Sequence, residues 1–255
     1  MVTQHPIGVF DSGVGGIGTL SALQKELPSE DFLYFGDTAH APYGTKPREE
    51  VMACVGQVMA HLLSQDVKAV VIACNTATAV AAKALREQYT LPILGMEPAL
   101  KPAHAIRHGG DILVLATPMT LRLEKFQQLY ARYGEGAIPL PCPGLMELVE
   151  QEADAQAERY LTELFSPYDL EHVDAVVLGC THYVFLRPIL RAMLPPHVQV
   201  LDGNEGTARQ LRHVLTEGGL LTDSTGIGRV TLETSGNPST VLPVMRRLLT
   251  RASSL

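Results

Sequence analysis

Short runs of consecutive apolar residues alternate along this chain with longer stretches in which apolar positions recur every three or four residues. The runs IGVF (7–10), FLYF (32–35), AVVIA (69–73), PIL (92–94), ILVLA (112–116), AIPL (137–140), AVVLG (175–179), VQVL (198–201) and RVTLET (229–234) predict strands. Between them the period lengthens. In 47–64, Val51, Val55, Val58, Met59 and Leu62 fall on one helical face, and Pro47 suits a first turn. Further helices are predicted over 76–89, 119–133, 145–165, 183–194, 205–217 and 240–249. Strands that are apolar on both faces and separated by helices predict parallel sheets covered on each side.

One stretch repeats. VKAVVIACNT (67–76) aligns without a gap on VDAVVLGCTH (173–182), 106 positions later. IGVFDS (7–12) stands near the same offset from ILVLAT (112–117), and both read as strands ending in small polar residues. The period is too long for a solenoid. It predicts an α/β protein of two similar lobes, each a mainly parallel sheet flanked by helices, with an active site in the cleft between them. The expected division is 1–97 plus 208–255 for the first lobe and 98–207 for the second.

Composition narrows the partners. At 255 residues the chain is long enough for two small cores. Net charge is −7 and no Lys/Arg-rich run occurs, so nucleic acid is not expected as a primary partner. With no Trp and 5% aromatic residues, a stacking surface for bases or sugars is not expected either. No apolar stretch reaches membrane-spanning length, and MVTQHPIGVF lacks a basic segment followed by an apolar signal core. A cytoplasmic protein with no membrane partner is the expectation. Its four cysteines, Cys54, Cys74, Cys142 and Cys180, are then thiols, each a buried hydrophobe or a reactive group.

Gly13, Gly15 and Gly18 spell G-x-G-x-x-G after the first strand, and Asp37 follows where dinucleotide folds hold a ribose. Polar Asp11-Ser12 precedes the first glycine, whereas a dinucleotide turn presents bare backbone to the pyrophosphate. The glycines are therefore read as a tight turn that brings Asp11 and Ser12 to the site. Ligands of open α/β sheets sit beyond the carboxyl ends of strands, and there this chain carries Asp11-Ser12, Cys74-Asn75-Thr76 and Cys180-Thr181-His182. Each cluster is expected to open a helix, whose exposed N–H groups and dipole favour a thiolate. Two equivalent thiols suggest one reaction. One thiolate removes a proton from carbon and the opposite thiol returns one, inverting configuration. With each sulfur at near-attack distance, the sulfurs would stand roughly 7 Å apart, too far for a disulfide. No cofactor and no metal are required; Cys180-x-His182 lacks the second close pair of a zinc pattern.

The ordered motifs FDSGVGG (10–16), FGDTAHAPYGTKP (35–47), ACNTAT (73–78), CPGLMELVE (142–150), LGCTHY (178–183) and TSGNP (234–238) resemble the aspartate/glutamate racemase superfamily over most of the chain. The resemblance implies cofactor-independent racemisation of glutamate, supplying D-glutamate for peptidoglycan. It implies Cys74 as the base toward D-glutamate and Cys180 as the base toward L-glutamate. Asp11 and His182 are the implied helpers, with Glu150 in an auxiliary role. Ser12, Tyr43, Gly44, Asn75, Thr76, Thr181 and His182 would line the substrate site. Neutral donors and helix N-termini can hold carboxylates without Lys or Arg. The expected partners are the small-molecule substrate and a second copy of the chain in a homodimer.

Other readings compete. An aspartate or broad-specificity racemase of the same fold is the alternative. A nucleotide-dependent dehydrogenase would use the glycines but leave the matched cysteines unexplained, and a binding protein could keep both thiols for packing. Cys54 reads as core, Cys142 as structural, and His40, His104 and His108 as surface or loop residues. EQEADAQAER (150–159) reads as a solvated helical face after Glu150. Val184-Phe185 after CTHY, MEPALKPA (96–103) and LDGNEGTA (201–208) depart from the family's usual forms and leave room for a different substrate preference.

Overall fold

The computed structural model describes residues 4–255, so the first three residues of MVTQHPIGVF lie outside it. Among the described residues the strands form two sheets in which every pairing is parallel. The chain begins with β1 (Ile7–Asp11), α1 (Ile17–Glu26), β2 (Phe32–Gly36), α2 (Arg48–Ser64), β3 (Ala69–Ile72), α3 (Asn75–Gln88) and β4 (Ile93–Gly95). β1 is flanked by β2 and β3, and β4 lies beyond β3. The steps from β1 to β2 and from β2 to β3 run in opposite directions. Right-handed crossovers therefore put α1 on one face and α2 with α3 on the other. This is why β1 and β3 are buried along their whole length.

Next come α4 (Leu100–Ala105), β5 (Asp111–Ala116), α5 (Pro118–Arg122), α6 (Glu124–Tyr133), β6 (Ala137–Pro141), α7 (Leu145–Glu150), α8 (Asp154–Phe165), β7 (Val173–Leu178), α9 (Arg187–Met193) and β8 (Gln199–Leu201). The order in this sheet is β6-β5-β7-β8. Leu100, Ala103 and Phe126 pack on Ile112, Val114, Ala175 and Val177, which closes one face with α4 and α6. The chain then returns with α10 (Asn204–Glu217), β9 (Val230–Thr234) and α11 (Pro238–Ser253). α10 and α11 pack against α1, and β9 pairs with β2 to complete the order β4-β3-β1-β2-β9. Residues up to Met96 with Asn204–Ser254 form one compact unit, and Glu97–Gly203 form the other. With β9 set aside, the two sheets have the same order, and β3 occupies in one the place of β7 in the other. The repeated stretch thus stands at one topological position twice. No described helix is long and apolar enough to cross a membrane.

Four local expectations are corrected. The 119–133 helix is two pieces, because Leu123 is extended and the Gln127 side-chain amide donates to the Leu121 carbonyl at 2.7 Å. The 145–165 helix breaks at 151–153, so EQEADAQAER is not one helical face. There Glu152 is left-handed, Glu152 N–H donates to Val149 and Ala153 N–H to Leu148, a Schellman end made without glycine. The 183–194 helix is a 3-10 segment (Thr181–Leu186) followed by α9, so Cys180 does not open an α-helix. The Gly-rich turn conceals α1, which survives Gly18 because Ile17, Leu20 and Leu23 are buried.

Candidate active site

In the first unit the site begins where β1 and β3, hydrogen-bonded neighbours, end together. Asp11 closes β1, fully buried, and its Oδ1 accepts the Gly13 N–H at 2.7 Å. The Gly13 carbonyl accepts the Tyr34 hydroxyl at 2.9 Å. A Cβ on Gly16 would lie 2.7 Å from that of Asp11 and 2.9 Å from that of Ala73. Glycine is thus needed for close packing at the end of the strands, and the Gly13 amide is turned to Asp11, not outward to a phosphate. Cys74 is the N-cap of α3, and its sulfur accepts the Ala77 N–H at 3.4 Å. The same Sγ donates to Ser12 Oγ at 3.6 Å. Asn75 and Thr76 follow, both buried. Asn75 Nδ2 donates to Met96 Sδ at 3.8 Å, while Asn75 Oδ1 is buried with no hydrogen-bond partner. An orphaned acceptor of this kind costs about 1–3 kcal/mol, which a bound ammonium group would recover.

Tyr43 and Gly44 lie on a short 3-10 turn (Tyr43–Thr45) that packs on α3. The buried Tyr43 hydroxyl donates to Asp37 Oδ2 at 2.6 Å. Burial first, then the Asp37 carboxylate and the Cys74 charge, push the phenol far above its usual range. Tyr43 is a neutral donor and not a base.

The second unit builds its thiol differently. Cys180 follows β7 and precedes the 3-10 segment, where its side chain makes no capping bond. Its sulfur stands 3.8 Å from His182 Nδ1. His182 Nε2 stands 2.9 Å from Glu150 Oε1, at the last residue of α7. His182 is buried, 2% exposed at its side chain, whereas Glu150 is 35% exposed. Burial opposes charge on His182, but the hydrogen bonds and charges of Cys180 and Glu150 outweigh it and raise its pKa well above 6.5. Glu150 also pays a desolvation penalty, which the His182 bond and charge overcome, so its carboxyl is held below its usual range. Thr181 is buried beside them. Thiol, imidazole and carboxylate thus form a chain along which a proton can be held or passed.

Each candidate residue therefore falls into one of two sets: Asp11, Ser12, Tyr43, Gly44, Cys74, Asn75 and Thr76 in one unit, and Glu150, Cys180, Thr181 and His182 in the other. Asp37, which stands in the sequence where a dinucleotide fold would hold a ribose, is the partner of Tyr43, and only the spacing within GDTAHAPYG hints at it. Cys142 is buried, donates to the Leu140 carbonyl at 3.3 Å, and burial pushes its thiol up to about 12, so it is inert. His104 is not a simple surface residue, since its Nδ1 is buried and its ring lies 6.0 Å from that of Tyr133. Val184 and Phe185 are both buried.

A profile of the Asp/Glu/hydantoin racemase family matches residues 18–211. The chain is 45% identical over 251 residues to a glutamate racemase of Clostridium botulinum strain Hall, covering 97% of this chain and 98% of that one. Its fold matches the crystal structure of glutamate racemase from Thermus thermophilus in complex with β-chloro-D-alanine, with a TM-score of 0.82 and 38% identity. That match covers 96% of this chain and 93% of the other. The Escherichia coli glutamate racemase, in complex with L-glutamate and the activator UDP-MurNAc-Ala, matches with a TM-score of 0.83 and 28% identity over 95% of each chain.

Proposed function

The chain belongs to the Asp/Glu/hydantoin racemase family, and we propose that it interconverts L- and D-glutamate by two thiols without a redox cofactor. Cys180 as thiolate takes the α-proton of L-glutamate and becomes a thiol. Cys74, a thiol at that moment, gives its proton to the opposite face of the carbanionic carbon and becomes the thiolate. D-glutamate leaves, and the reverse reaction begins from the swapped protonation state. Atoms and charge balance within one conversion, and exchange of the thiol protons with water resets the pair for the next conversion in the same direction.

The observation that carries this reading is the twin placement of Cys74 and Cys180, each at the carboxyl end of the equivalent strand in its own sheet. A thiol is a far stronger acid than an α-C–H, so most of the barrier must be removed electrostatically. Ser12, Thr76, Thr181 and the N-terminus of α3 supply neutral donors for the carboxylates, and Asn75 Oδ1 an acceptor for the ammonium group. Asp11 and His182 act beside the thiols, with Glu150 orienting His182. Tyr43 and Gly44 line the substrate. We assign the protein to the cytoplasm as a homodimer that supplies D-glutamate to peptidoglycan synthesis.

The test is incubation of the purified protein with L-glutamate in deuterium oxide, without added cofactor, following optical rotation and the α-proton signal. Racemisation with deuterium incorporated at the α-carbon is the expected result. Turnover of aspartate with glutamate left untouched would transfer the assignment to an aspartate racemase. Dependence on added NAD would overturn it.

A further inference from the structure

A third set of side chains in the first unit adjoins the Cys74 set through Asp37, the partner of Tyr43. Asp37 follows β2, His40 lies on the short helical turn Thr38–His40, and Cys54 lies on α2. One oxygen, one nitrogen and one sulfur from these three lie within 4.8 Å of one another. Asp37 and Cys54 are buried, while the His40 side chain is 42% exposed, leaving one side open to water. We infer that Asp37, His40 and Cys54 bind a thiophilic divalent cation of the zinc class, with water as the fourth ligand.

The donor set selects the metal. A thiolate, an imidazole and one carboxylate suit zinc or cobalt, whereas magnesium and calcium take oxygen ligands. Tetrahedral bonds of about 2.0–2.3 Å put neighbouring ligand atoms about 3.5 Å apart. The three atoms lie within 4.8 Å of one another, so binding would draw the ligands together. His40 Nδ1 already stands 2.8 Å from Asp37 Oδ1, and the other Asp37 oxygen is held by the Tyr43 hydroxyl at 2.6 Å. Tyr43 thereby orients the carboxylate as an outer partner of the site.

Charge points the same way. Asp37 and Cys54 are both buried and lie beside each other in this cluster. One thiolate with one carboxylate would neutralise a divalent cation held there. The spacing D-x2-H-x13-C is not a zinc motif. Only the approach of α2 to the loop after β2 makes the set.

Cobalt(II) added to the chelator-treated full chain is the probe, read by the thiolate-to-cobalt absorption band in the near ultraviolet. One equivalent is expected to saturate the band, and zinc to abolish it by displacement. The band is expected to persist in a Cys74→Ser/Cys180→Ser double variant and to vanish in Cys54→Ser. His40→Ala, at a half-exposed position where folding is not at risk, is expected to weaken cobalt binding more than about tenfold. No band in the native chain would overturn the site, as would loss of the band in the double variant. Unchanged binding in Cys54→Ser or in His40→Ala would do the same. Should circular dichroism show Cys54→Ser unfolded, His40→Ala decides alone.

Discussion

Cys74 and Cys180 stand at the same point of two sheets with the same strand order, yet their surroundings are built from different materials. Around Cys74 the backbone contributes directly. Its sulfur caps a 14-residue helix, accepts Ala77 N–H, and touches a neutral hydroxyl, Ser12 Oγ. Around Cys180 the support is side chain. A 3-10 segment replaces the α-helix, and the sulfur faces the buried His182 imidazole, itself bonded to Glu150. A repeated fold therefore fixes where a thiol stands but not how its charge is balanced. Peptide dipoles do not titrate and cannot be deleted one at a time, whereas an imidazole and a carboxylate do both.

Removing either sulfur is the harshest test. Cys74→Ser and Cys180→Ser are each expected to lower racemisation by about 10³-fold or more, near the upper end of what a positioned acid or base contributes. Should one variant keep native turnover, the two sites would not be partners in one reaction. His182→Asn comes next, with a loss of about 100-fold. Enantiomers are equally stable in water, so kcat/KM must fall by the same factor in both directions. The asymmetry would show instead in the isotope effects. α-Deuterated L-glutamate, deprotonated at Cys180, is expected to gain the larger increase, and an equal gain with D-glutamate would break the comparison.

Titration sharpens the comparison further. Glu150 is held below its usual pKa, so its contribution to stability is present above about pH 4.5 and lost as pH falls through its folded value. His182 is held above 6.5, so its contribution is complete below that and lost as pH rises through its folded value. Both act fully between about pH 4.5 and 6.5. Glu150→Gln is expected to cost about 1 kcal/mol in that window, given the part-exposed carboxylate, or roughly 2–4 °C in Tm. The difference should shrink above it. A deficit that grew steadily toward alkaline pH would contradict the sign of the His182 shift.

Much of the fold was legible because it is written in local pattern. The middles of strands β1, β3, β5 and β7 are apolar runs, and the 106-residue echo between β3 and β7 predicted two similar lobes. Helix ends were less legible where unusual residues make them. Glu152 occupies a left-handed position usually signalled by glycine, and the break at Leu123 depends on a Gln127 amide four residues on. Side-chain partners far apart in sequence were the hardest to read. His182 and Glu150 are 32 positions apart, and periodicity offers no link between them. Lys68 sits inside the apolar stretch VKAVV, and only the fold reveals that it is buried on Glu30 at 2.5 Å. The thiol sites fall between these cases. Strand ends located the sulfurs, but the 3-10 turn after Cys180 and the bond from Tyr43 to Asp37 depend on tertiary packing.

The smallest predicted effect tests the backbone side of the comparison most directly. The Ser12 hydroxyl stands 3.6 Å from the Cys74 sulfur. When Cys74 carries its proton the sulfur donates to Ser12 Oγ, and when it is a thiolate the hydroxyl donates back. A weak bond of this kind is worth about 0.5–1 kcal/mol, so Ser12→Ala should lower kcat at saturating glutamate by only about twofold to fivefold, with any lost carboxylate contact showing in KM. The Ala77 N–H and the dipole of α3 remain to hold the charge. A loss as large as that of His182→Asn would mean that the Ser12 hydroxyl matters to Cys74 as much as the imidazole does to Cys180, and the contrast between the helix-capping thiol and the imidazole-paired thiol would fail at its first member.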